Sequence, residues 1–126
     1  MKSARLAPVQ PTEEAIVTTA LVRASGKLGL PNRIIGATIG LSEPTVSRLK
    51  KGNYTLKRHD KEFELSVLFL RMYRSLTAIV GGDDSVATAW LKNYNSALRA
   101  KPVERIQTVA GLMHVITYLD ARRAMV

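Results

Sequence analysis

Residues 32 to 52, NRIIGATIGLSEPTVSRLKKG, constrain the fold of this chain more than any other stretch. Small and apolar residues fall there where two helices meeting at a sharp turn require them. Gly40 can take the positive φ of the turn, and Gly36 lets the second helix approach closely. Ile35, Ile39, Leu41, Val46 and Leu49 supply the inner face. Ser42 is placed to cap the second helix, with Pro44 tolerated in its first turn. Seven constrained positions at fixed spacing are rarely met by chance, and the stretch reads as a helix-turn-helix.

The rest of the chain agrees with an all-α fold. Of its 126 residues 46% are apolar but 6% aromatic, and no sustained period-2 alternation argues for a strand. That length suits one domain, or two small helical units sharing a core. There is no cysteine, so neither a disulfide nor a thiolate metal site is expected, and a reducing cytoplasm fits. Lys2 and Arg5 are followed by Pro8 and Pro11 rather than an apolar core, so no signal peptide is expected. The longest apolar runs, Val67 to Leu70 and Ala78 to Val80, fall far short of the roughly 20 residues of a membrane span.

Helix signals then order the chain. Residues 1–11 carry two prolines and no periodicity and are expected to form a flexible arm. Thr12, Glu13 and Glu14 start a helix to about Leu28 that buries Ile16, Ala20 and Ala24, and the helix-turn-helix domain extends over residues 12–57. A long helix from about Arg58 to Val80 follows, with Leu65, Leu68, Phe69, Met72, Leu76 and Ile79 on one stripe and Arg71 and Arg74 off it. That stripe is expected to make dimer contacts or to pack the two units together. Gly81 and Gly82 end the helix, and Asp83 or Asp84 caps the next, through Trp90 and Leu91. Asn93 to Asn95 break the pattern, Pro102 opens a short helix, and Thr108 caps a last one with Val109, Leu112, Ile116 and Leu119 on its apolar face. The segment from Asp120 to Val126 shows no pattern of burial. The layout is about seven helices, with residues 58–126 forming a linking helix and a second small helical unit.

Charge points to a polyanion or an acidic protein as a partner. Nineteen basic residues against ten acidic ones give a net charge of +9, and residues 1–60 carry ten against four. Arg48, Lys50, Lys51, Lys57, Arg58 and Lys61 lie within fourteen residues opposed by Asp60 alone, a distribution that suits nucleic-acid phosphate. A simply solvated basic face is the competing reading. If the second motif helix enters a major groove, Ser42, Glu43, Thr45, Ser47, Arg48 and Lys51 lie on or near its exposed side. Arg48 suits guanine and Lys51 suits phosphate, whereas Glu43 repels the backbone. A helix-turn-helix used only for packing remains the alternative. No catalytic constellation is found: His59 is placed on the surface and His114 part-buried, each without a second ligand, and no metal, cofactor or enzymatic activity is expected.

The segment SEPTVSRLKKG, Ser42 to Gly52, resembles the recognition helix of Xre-type, phage-repressor-like regulators. Residues 58–126 resemble the C-terminal toxin-binding domain of the Xre, MbcA and ParS antitoxins. Trp90, Leu91, Asn95, Ala97, Leu98 and Pro102, followed by an apolar last helix and a short tail, carry that likeness. Tyr94 stands where the family usually has proline, and Arg99 and Ala100 where glycine is frequent. The resemblance implies an antitoxin that neutralises a NAD-consuming RES-domain toxin by covering its NAD pocket, with Asn95, Asp120, Arg122, Arg123, Met125 and Val126 as toxin-binding candidates. It also implies operator DNA as a second partner and a homodimer or toxin-antitoxin hetero-oligomer. A stand-alone Xre-type repressor with a dimerisation or sensing domain is the alternative.

Overall fold

Four of the predicted helix starts are caps in which a side-chain oxygen takes an otherwise unpaired backbone N–H. Thr12 accepts from Ala15, Ser42 from Thr45, Asp83 from Ser85 and Val86, and Thr108 from Gly111. These hydrogen bonds also hold the Asp83 carboxyl below the usual aspartate range, the Ser85 hydroxyl contributing most and the Val86 N–H next. The computed structural model describes residues 10–125, and within them the chain forms seven α-helices and no strand. They are α1 (Glu13–Lys27), α2 (Asn32–Ile39), α3 (Glu43–Lys50), α4 (Lys61–Ile79), α5 (Asp84–Lys92), α6 (Pro102–Arg105) and α7 (Val109–Arg123). The arm expected over residues 1–11 lies outside the described residues except for Gln10 and Pro11, and so does Val126.

The turn between α2 and α3 forms as the pattern requires. Gly40 has φ 85°, and its N–H and that of Leu41 both donate to the Gly36 carbonyl. A side chain on Gly36 would collide with the Leu41 carbonyl oxygen, so the close approach is to the turn itself. Ile35, Ile39, Val46 and Leu49 are buried and Leu41 half-buried.

The face of α1 differs from the expected one. Ala24 is buried as expected, but Ile16 is 54% exposed and Ala20 half-buried, and Thr18, Leu21, Ser25 and Leu28 point inward instead. Thr18 can occupy that face because its hydroxyl is doubly satisfied, donating to the Glu14 carbonyl at 2.7 Å and accepting from Leu56 N–H at 3.0 Å. A hydroxyl with both partners in place loses little on burial, so the helix turns its apolar Ile16 to solvent.

The long helix starts later than its periodicity predicts. Arg58 N–H is taken by the Glu14 carboxylate at 2.8 Å, which holds residue 58 in the loop, and Asp60 becomes the residue before α4. Phe63, Phe69, Met72 and Leu76 are buried along α4, which packs against α1 and α2 on one side and most extensively against α7 on the other. The stripe therefore joins the two halves of the chain, as one of its two expected uses requires. In α7, Leu112, Val115, Ile116 and Leu119 are buried, but Val109 is 57% exposed because the first residue after the cap faces away. Gly111 sits against the Arg105 carbonyl, where no Cβ fits. No described helix is long and apolar enough to cross a membrane.

Candidate functional site

The exposed side of α3 is built outward from its cap. Ser42 Oγ accepts from Thr45 N–H at 3.3 Å and lies 2.9 Å from Thr45 Oγ1, which in turn accepts from Arg48 Nη2 at 3.4 Å. Spacing of three residues puts Ser42, Thr45 and Arg48 in one row. The Arg48 guanidinium also lies 5.7 Å from the centre of the Tyr54 ring, a cation–π contact that orders a long side chain without neutralising it. Tyr54 was not among the predicted site residues, although an aromatic just past a basic helix is a readable signal. Glu43 and Lys51 are exposed at opposite ends of α3, and Ser47 is half-buried beside the row. Structure thins the expected basic cluster: Arg58 pairs with Glu13 at 3.3 Å and Lys61 with Glu64 at 3.3 Å. Arg48, Lys50, Lys51 and Lys57 remain exposed and outside any ion pair among the described residues.

The second surface lies around the end of α7. The segment from Asp120 is not a loose tail: α7 continues to Arg123, and Asp120 is half-buried against α4. Its carboxylate accepts from Ser75 Oγ at 2.7 Å and from Arg71 Nη2, and Arg123 Nη1 reaches Ser75 Oγ at 3.4 Å. The Ser75 hydroxyl does most to hold the Asp120 carboxyl below the usual aspartate range, the hydrogen bond and charge of Arg71 and the charge of Arg123 add to it, and partial burial opposes them. Arg122 points elsewhere, 5.8 Å from the Tyr118 ring, and Tyr118 stacks on Trp90 with centroids 6.3 Å apart. Met125 is 83% exposed.

Asn95 works inside its own loop. Its Oδ1 accepts from Ala97 N–H at 2.9 Å and Leu98 N–H at 3.1 Å, and its backbone pairs with Ala100. Arg105 closes the loop by donating from Nε at 3.1 Å and Nη2 at 2.7 Å to the Leu98 carbonyl. Arg99 has φ 57°, a left-handed conformation in a non-glycine residue. Of the predicted residues, Ser42, Thr45 and Arg48 thus form one row on α3, and Asp120 and Arg123 meet at the α4–α7 seam. Arg122 and Met125 stand apart from that cluster, and Asn95 serves its own loop. Both histidines are exposed, His114 against its expected partial burial, and no three His, Asp or Glu gather at metal-binding distance among the described residues.

Residues 7–71 match the antitoxin Xre-like helix-turn-helix domain, and residues 75–124 match the antitoxin Xre/MbcA/ParS C-terminal toxin-binding domain. The boundary between the two falls within α4. No curated protein matches the chain. Among solved structures, a chain in the crystal structure of the M. tuberculosis MbcT-MbcA toxin-antitoxin complex is similar over 88% of this chain and 96% of its own, at 20% identity and a TM-score of 0.66. At that identity the likeness is one of fold.

Proposed function

The chain belongs to the Xre-like helix-turn-helix antitoxins, with an Xre/MbcA/ParS toxin-binding domain in its second half, and from that premise we propose two attachments for it. One is to a NAD-consuming RES-domain toxin, whose NAD pocket it covers with the end of α7 and the residues that follow. The other is to operator DNA, which it binds through α3 to repress its own operon. It does so as a homodimer or within a toxin-antitoxin hetero-oligomer.

The observation that carries the first attachment is the way α7 ends. A helix supported along its length by α4 presents Arg122, Arg123 and Met125 at an exposed tip, so little ordering entropy is left to be lost on docking. Two guanidiniums there suit carboxylates or the space that dinucleotide phosphates would fill. Asp120 enters as the residue that braces Arg71, Ser75 and Arg123. The Ser42–Thr45–Arg48 row, ordered before any DNA is met, supports the second attachment.

A complex co-purified with its toxin tests both. Removing residues 124–126 together with Arg122→Ala and Arg123→Ala should restore NAD consumption while the complex still elutes as one species. Full protection by that variant overturns the pocket-covering reading. Arg48→Ala should weaken operator binding by about 1–3 kcal/mol and leave NAD protection intact.

A further inference from the structure

The cleft between α2 and the α5–α6 segment lies outside the residues assigned above to either attachment. Arg33, Lys92 and Lys101 line it together with Glu104, over a floor that includes Ile34 and Val103. Three cations face one carboxylate, and none of the three belongs to an ion pair among the described residues. All three are exposed. They come from three separate places in the chain: the first turn of α2, the last residue of α5 and the residue before Pro102. Like charges gathered from separate segments raise the local positive potential, which draws an anion to the cleft.

The partner's chemistry follows from the surroundings. Ile34 is buried and Val103 half-buried, so charged and polar groups dominate the rim of the cleft, which suits a charged, extended polymer. Arg33 lies on the first helix of the helix-turn-helix, the one that crosses the phosphate backbone when the second enters the groove. Lysines are point charges on flexible stems and suit phosphates without regard to base sequence. We propose that Arg33, Lys92 and Lys101 form a second DNA-backbone contact, so that residues of the toxin-binding half help to hold the duplex that α3 reads. The proposal rests on the reading of α3 as DNA-binding.

The test uses the full chain and two duplexes, one carrying the DNA upstream of its own gene and a scrambled one of equal length, titrated by fluorescence anisotropy across a salt series. Each phosphate contact contributes about 0.9 to the slope of log affinity against log salt. The K92Q/K101Q variant should therefore have a slope shallower by about 1.8 on both duplexes, and R33Q by about 0.9. The charge-conserving K92R/K101R variant should keep the wild-type slope. An unchanged slope in K92Q/K101Q overturns the proposal. So does a weakened toxin complex with an unchanged slope, which assigns the cleft to an acidic surface of the toxin. Arg48→Ala separates the two ideas: it should reduce discrimination between the duplexes with the slope contribution of the lysines retained. If discrimination survives Arg48→Ala while the lysine variant flattens the slope, the α3 reading fails and the cleft contact stands. If the wild-type chain binds neither duplex, both fall.

Discussion

The turn between α2 and α3 and the loop between α5 and α6 both redirect the chain within a few residues, but by different physical means. The first is steric. Gly40 takes φ 85° and Gly36 leaves room for the Leu41 carbonyl, so the geometry follows from what is missing at two positions. The second is polar. Asn95 Oδ1 gathers two backbone N–H groups, the Arg105 guanidinium clamps the Leu98 carbonyl, and Arg99 is held at φ 57°. A steric turn is legible within a dozen residues of sequence; a polar one depends on a side chain ten positions further on.

The largest effects should come where both halves use the steric device. Gly36→Ala in α2 and Gly111→Ala in α7 each drive a Cβ into a backbone carbonyl that cannot move independently. Each should cost about 2–3 kcal/mol in urea unfolding, despite alanine's better helix propensity. A loss confined to Gly36→Ala would show that only the helix-turn-helix depends on close backbone approach.

A smaller effect should mark the polar half alone. The Asp120 pKa is lowered in the folded state, so the unfolded chain takes up its proton first as pH falls. The stabilisation is therefore present above the usual aspartate range and is lost as pH drops through that range to the lowered native value. Asp120→Asn should cost about 1 kcal/mol at neutral pH, with the difference from wild type vanishing in acid. Chemical denaturation at the two pH values measures it, and a difference that persists in acid would show that packing, not charge, holds the α4–α7 seam.

The smallest effect should be a gain. Arg99→Gly relieves a left-handed conformation that costs an L-residue about 1–2 kcal/mol, less the extra chain entropy that glycine loses, for a net stabilisation of about 0.5–1 kcal/mol. A loss instead would mean that the Arg99 side chain contributes to the loop, making the contrast between the two turns sharper still.

Much of the fold is legible because caps are local. Thr12, Ser42, Asp83 and Thr108 each sit two or three residues before the N–H they accept from, and each was identifiable by residue type and place. What escaped was decided across the chain. Thr18 turns inward because Leu56, 38 residues away, donates to it, and Asp120 joins α7 to Arg71 and Ser75, more than 40 residues earlier. A short segment of mixed residues with two central arginines, Arg122 and Arg123, resembles a frayed end until its partner helix is known. The spacing of the α3 row is readable in the sequence, and so is the presence of an aromatic just past that basic helix, but the seat of Tyr54 against Arg48 depends on a loop without periodicity.

The shared position of α4 has a consequence for the molecule's supply in a cell. One face of that helix closes the helix-turn-helix bundle and another supports α7, so neither half keeps its core if the other melts. Damage at either end is damage to the whole. A protease that opens one element should therefore end both proposed attachments in the same event, leaving no folded fragment to hold one partner after the other is released.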